Sequence, residues 1–207
     1  MPPRVLKTAP FDRERQLWDQ GNLHVAGTDE VGRGCLAGPV VAVAVVFPAH
    51  MEVIPGVYDS KVVSQSRREA LLETIYATAA VGVGICTPQE IDNINIREAS
   101  LLAMTKAVEA LPRVPDVVLV DGNVLPPSLP CPGETLVKGD SRSHSIAAAS
   151  IVAKVIRDRM MVELAMKTEG FHSWESNKGY PAPAHYAAIE EFGLTPHHRR
   201  SFKCTRK

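Results

Sequence analysis

Two apolar stretches, residues 23–27 and 40–47, enclose the heptapeptide Thr28-Asp29-Glu30-Val31-Gly32-Arg33-Gly34. The pattern reads as a first strand over 23–29 and a second over 40–47, joined by a glycine-containing loop, which is a hairpin rather than a helical crossover. Two adjacent carboxylates then fall where a strand ends. Neighbouring carboxylates repel each other and resist dehydration, so a fold that puts them at the edge of its core commonly holds a cation there. Asp, Glu and Gly are also ordinary residues of a solvated turn. Taken alone, the seven residues leave both readings open.

The rest of the chain supplies the sheet and helices around that hairpin. The stretch Val81-Gly82-Val83-Gly84-Ile85-Cys86 continues the meander. Before it, Ser66-Arg67-Arg68-Glu69 has capping-box spacing ahead of apolar residues at helical intervals, which predicts a helix start. Thr87-Pro88-Gln89-Glu90 is a second cap, with proline at the first helical position, opening a helix to about Leu111. The run Asp116-Val117-Val118-Leu119-Val120-Asp121 predicts a strand covered on both faces. Residues 134–138 predict a last strand near the sheet edge, which makes five. Residues 143–167 are the most helical stretch, and their first half is rich in small side chains that let a helix approach a sheet closely. Arg157 and Asp158 read as a charge pair on its surface.

A chain of 207 residues with 45% hydrophobic content can bury one sizeable core. The expected division is an N-terminal extension over 1–22 and one domain over 23–207, with a small helical C-terminal segment from about 171. Lys and Arg total 23, as do Asp and Glu, so bulk charge predicts no partner. Residues 171–207 nevertheless carry six Lys/Arg against three Glu, a net +3 that suits either solubility or phosphate contact. Cys35, Cys86, Cys131 and Cys204 lie far apart without a Cys-x-x-Cys, which argues for free or buried thiols. The N-terminus has no apolar signal core and residues 40–47 are too few to span a bilayer, so a cytoplasmic protein with no membrane contact is expected.

If the first and fourth strands are neighbours, Asp29, Glu30 and Asp121 meet at one sheet end, where open sheets carry their sites, and Asp140 lies just before the core helix. Oxygen ligands without His or Cys suit Mg²⁺ or Mn²⁺ rather than zinc. The motifs Asp29-Glu30-Val31-Gly32-Arg33-Gly34, Asp59-Ser60-Lys61, Asp121-Gly122-Asn123, Lys138-Gly139-Asp140, the stretch from Ala148 to Asp158, Lys178-Gly179-Tyr180-Pro181 and His197-His198-Arg199-Arg200-Ser201-Phe202 occur in the order found in ribonuclease HII. In order and content the chain resembles the bacterial branch of that family over roughly residues 23 to 202.

The resemblance implies an α/β, ribonuclease H-like fold with a five-stranded mixed sheet flanked by helices. It implies an endonuclease that cuts the RNA strand of RNA–DNA hybrids and nicks 5′ to single ribonucleotides in duplex DNA, leaving 3′-hydroxyl and 5′-phosphate ends. Asp29, Glu30, Asp121 and Asp140 would be the catalytic residues, holding two Mg²⁺ or Mn²⁺ ions. Gly32, Arg33 and Gly34 would contact the ribonucleotide 2′-hydroxyl through the backbone, Tyr180 would abut the next sugar, and Lys61 would contact phosphate. Its partners would be RNA–DNA hybrid and ribonucleotide-containing duplex DNA, with the protein a monomer. Two motifs depart from the family pattern: Val62 and Val63 follow Lys61 where lysine and leucine are usual, and Ala182 follows Pro181 where threonine is common.

Rival readings are another metal-carboxylate DNA nuclease of the same fold, a catalytically silent nucleic-acid adaptor, and a nucleotide-binding protein using Gly32-x-Gly34-x-x-x-Gly38 as a phosphate loop. The last has the wrong glycine spacing, and an apolar β-rich run follows where a helix N-terminus should stand. An adaptor would gain nothing from clustered negative charge facing phosphates.

Overall fold

The computed structural model describes residues 7–205. Within them the order is α1 (Asp12–Asp19), β1 (Val25–Val31), β2 (Val40–Val46), α2 (Gln65–Thr78), β3 (Ala80–Cys86), α3 (Pro88–Glu109), β4 (Val117–Asp121), β5 (Gly133–Leu136), a 3₁₀ turn at Gly139–Ser141, α4 (His144–Lys167), α5 (Trp174–Asn177) and α6 (Pro183–Phe192). One sheet runs in the order β3-β2-β1-β4-β5. The expected meander is present, with β2 antiparallel to both β1 and β3. On the other side β4 runs parallel to β1, and β5 parallel to β4. The sheet is therefore mixed, and the parallel β1–β4 pair brings the ends of those two strands side by side.

Each face of the sheet carries its own core. One joins Val25, Val43, Val45, Val117 and Leu119 to α2 and α4. The other joins Ala26, Ala42, Ala44, Val118 and Val120 to α3. The small-residue half of α4 lies directly on β1: a Cβ at Gly27 would stand 2.3 Å from the Ile146 backbone nitrogen. Only a bare backbone fits there. The segment ahead of β1, expected as an extension, packs into the first core through Phe11, Leu17 and Trp18. Its residues 1–6 lie outside the described residues. Glu14 of α1, fully buried, accepts from Ser143 Oγ at 2.6 Å and from the Ser145 N–H at 2.9 Å, tying α1 to the start of α4.

Three local expectations change. Helix α2 is capped by Ser64, whose extended backbone ends in the first helical hydrogen bond, rather than by the Ser66-to-Glu69 box. Glu69 instead pairs with Arg159 of α4. The Thr87–Glu90 capping box forms as expected, but α3 is broken at Asn95, where φ is 67° and the side chain accepts from the Arg97 N–H at 2.9 Å. The third change is Arg157, which lies not on a helix surface but wholly inside. The four cysteines are free, and three of them are buried.

Candidate active site

Strand β1 continues to Val31, so Asp29 and Glu30 lie within its last turn of pleat rather than beyond it. Successive residues of a strand face opposite sides. Asp29 accordingly shares the α4 face with Val25, whereas Glu30 opens toward α3 in a groove lined also by Arg33, Arg97, Asp121 and Asn123. Asp121 closes β4, one residue past the Thr28–Val120 pairing. Its Oδ1 accepts from the Gly139 N–H at 2.7 Å, which draws the 3₁₀ turn carrying Asp140 against the same sheet end.

The four expected carboxylates thus share one place, and their electrostatics show it. Burial raises Asp29 well above the ordinary carboxylate range, and the charges of Glu30, Asp121 and Asp140 push it in the same direction. Burial also raises Glu30, against which Arg33 works through a 3.0 Å ion pair. Asp140 is raised by burial and then by Asp59 and Asp121, with Lys61 opposing. Lys61 is therefore brought to the Asp140 side of the cluster. Its N–H is held by Asp59 Oδ1 at 2.9 Å, and its side chain is exposed.

Among the described residues no three such side chains are already drawn tightly enough to enclose an ion. The donor chemistry nevertheless fits divalent metal: all four groups are hard oxygen donors, and their mutual repulsion is what a cation would relieve.

Beside the carboxylates, residues 32–39 form a loop moulded around two fully buried guanidinium groups. Arg199 donates to Gly32 O at 2.6 Å, Arg33 O at 2.8 Å and Gly38 O at 3.0 Å. In a trans peptide the C=O and the following N–H point in opposite directions. With the Gly32 and Arg33 carbonyls turned inward, the Arg33 and Gly34 N–H groups are turned outward, and no hydrogen bond among the described residues uses them. Gly32 has φ of +97°, and a Cβ there would meet Arg157 Nε at 2.1 Å. Gly34 faces open space, where a Cβ would meet nothing within 4 Å.

Tyr180, 38% exposed, stands at the far edge of this loop. Its ring lies 5.7 Å from the Arg157 guanidinium carbon and 5.8 Å from Lys154 Nζ. Burial, then the neighbouring Cys35, pushes its hydroxyl up to about 12. His185 fixes the Tyr180 carbonyl through Nδ1 at 3.0 Å. Since Trp174 Nε1 donates to His185 Nε2 at 2.9 Å, the His185 proton sits on Nδ1.

The sequence reading missed the two arginines as supports of this site. A signal for Arg157 was present: Ile146, Ser150, Ala153, Arg157 and Met161 follow one helical stripe, and every one is buried. Arg199 had no comparable signal in its irregular segment. Asp59 was also missed as a neighbour of Asp140. Of the basic C-terminal segment, Arg199 is consumed inside the protein, while Arg206 and Lys207 lie outside the described residues.

Comparison with known proteins converges on one group. The ribonuclease HII family profile matches residues 26–205. A ribonuclease HII of Ruegeria pomeroyi is 52% identical over 205 residues, covering 99% of this chain and 86% of the relative. Among solved structures, a ribonuclease H2 of Pyrococcus horikoshii OT3 superposes with a TM-score of 0.74 at 27% identity, over 87% of this chain and 94% of its own. A ribonuclease HII of Archaeoglobus fulgidus, solved in complex with PCNA, gives 0.71 at 28% identity over 89% and 98%.

Proposed function

This chain belongs to the ribonuclease HII family and is a hydrolytic nuclease that cleaves the RNA of RNA–DNA hybrids, and from that premise we propose that it also nicks duplex DNA 5′ to a single embedded ribonucleotide. In this reading Asp29, Glu30, Asp121 and Asp140 hold two Mg²⁺ or Mn²⁺ ions. Such ions, when bound, supply Lewis-acid polarisation of a phosphodiester and charge stabilisation for its departing 3′ oxygen. Asp29, Glu30 and Asp121 would be the firmer supports, because strands hold them. Asp140, carried by a 3₁₀ turn, would be the more adjustable one.

The outward pair of N–H groups at Arg33 and Gly34 carries the substrate reading. Both are aimed by Arg199, sit next to Glu30, and border the glycine that leaves open space. A 2′-hydroxyl can accept from a backbone N–H, and it is the group that distinguishes RNA from DNA at a given position. Recognition through backbone alone is independent of base sequence. Tyr180 would lie against the sugar of the next nucleotide, and Lys61 would contact phosphate on the Asp140 side. The neutral overall charge implies modest affinity that weakens with salt. A cytoplasmic monomer completes the reading, and among the described residues no helix is long and apolar enough to cross a membrane.

The test is cleavage of a duplex containing one ribonucleotide alongside its all-DNA twin, in Mg²⁺ and in Mn²⁺. Nicking of the first alone, on the 5′ side of the ribonucleotide, is expected. Equal cleavage of both would favour a DNA nuclease of the same fold.

A further inference from the structure

Arg157 lies outside both loops of the proposed substrate site and its side chain donates to each of them, beside the direct Cys35–Tyr180 side-chain hydrogen bond. Its Nε donates to Pro39 O at 2.9 Å and Nη2 to Ala37 O at 3.1 Å, both in the loop that presents the Arg33 and Gly34 amides. Its Nη1 donates to Lys178 O at 2.9 Å, in the turn that presents Tyr180. The guanidinium fills the space a Cβ would take at Gly32 and lies within cation–π range of the Tyr180 ring. It is fully buried, and among the described residues no carboxylate pairs with it. Backbone bonds close the same seam, since the Gly179 carbonyl accepts from the Leu36 N–H at 2.8 Å and from the Ala37 N–H at 3.4 Å.

We propose that Arg157 is a positioning residue that sets the spacing between the 2′-hydroxyl-reading amides and Tyr180, and so sets the preference for a ribonucleotide adjoining a deoxyribose. The inference rests on the reading given under Proposed function. A lone ribonucleotide in DNA offers one 2′-hydroxyl, and both loops must engage adjacent sugars at one fixed distance. A continuous RNA strand offers a 2′-hydroxyl at every sugar and has no deoxyribose for Tyr180 to meet. Loss of the spacing therefore harms the first substrate more. A planar fork of donors reaching three carbonyls in different directions cannot be replaced by an ammonium group. Arg199 provides a contrast, because its bonds end in residues 32–38 and hold only the amide loop, which both substrates need.

The experiment measures kcat and KM of folded protein on a single-ribonucleotide duplex and on a continuous RNA–DNA hybrid. Arg157→Lys is expected to lower kcat/KM on the first about tenfold more than on the second. Arg199→Lys should lower both to the same degree. Gly179→Ala opens the seam from its other side, since the added Cβ would meet Ala37 O at 2.6 Å, and should repeat the Arg157→Lys skew without altering Arg157. In a Tyr180→Ala background, Arg157→Lys should no longer change the ratio of the two substrates.

Equal losses on both substrates for Arg157→Lys and Gly179→Ala would overturn the proposal, as would the same skew from Arg199→Lys. If Arg157→Lys does not fold, Gly179→Ala decides the question. Failure of the underlying reading looks different: the unaltered protein would ignore the lone ribonucleotide.

Discussion

The carboxylate cluster and the guanidinium cluster lie next to each other, and both take like charges out of water. Their treatment is opposite. Arg157 and Arg199 have their N–H groups directed at the carbonyls of residues 32, 33, 37, 38, 39 and 178. Burial lowers Arg199 only to about 10, so it remains charged at neutral pH. Asp29 receives little beyond the Glu30 N–H at 2.7 Å, and its neighbours repel it toward the neutral form. Compensated buried charge marks architecture, whereas uncompensated buried charge marks where a ligand of opposite sign belongs.

The comparison breaks most visibly at the carboxylates. Asp29→Asn or Asp121→Asn should abolish cleavage while duplex binding stays intact or tightens, as negative charge near phosphates is removed. Metal-free Asp29→Asn should also melt higher than the parent at neutral pH. A carboxyl raised on folding binds its proton more tightly in the native state, so stability falls as pH climbs from the ordinary carboxylate range through the raised value. Asparagine removes that slope. Added Mg²⁺ or Mn²⁺ should stabilise the parent more than the variant in thermal melts.

The guanidinium side should respond in the opposite sense. Arg199→Met leaves the carbonyls of Gly32, Arg33 and Gly38 buried without donors and should cost about 3 kcal/mol or more in denaturant unfolding. An unchanged unfolding midpoint would erase the distinction between the clusters.

Smaller effects sharpen it. Tyr180→Ala should slow cleavage by roughly tenfold to a hundredfold, with Tyr180→Phe costing less, because the proposed contact with the neighbouring sugar would use the ring face. The alanine loss should be greater on the single-ribonucleotide duplex than on the hybrid; equal losses would make Tyr180 a support of the fold. Asp140→Asn should raise the Mg²⁺ concentration needed for activity more than it changes substrate affinity, and an unchanged metal titration would return Asp140 to a turn-forming role. Lys61→Ala should have the slightest effect, weakening binding evenly across sequences and reducing the salt slope by about one.

Much of this was legible in one dimension. The strands around Asp29 and Asp121, the Thr87–Glu90 cap and the start of α4 at Ser143 are local patterns in the sequence, and for the two caps local hydrogen bonds realise them. The misplaced cap at Ser66 shows the limit, since Ser64 and Ser66 are equally able caps and only one has the extended backbone. The break at Asn95 was hidden because apolar spacing continues on both sides of it.

The sequence by itself determined the alternation of strands and helices, the hard-oxygen character of the site and the family resemblance, because periodicity, capping chemistry and ligand type belong to residues and their near neighbours. Only tertiary structure decided which charges are exposed. Arg157 finds acceptors 118 and 120 positions earlier in the chain, at Pro39 and Ala37, and Arg199 finds them 161 to 167 positions earlier. Burying a guanidinium is favourable only when carbonyls are already arranged to receive it, and that arrangement exists only once β1, α4 and the C-terminal segment have come together.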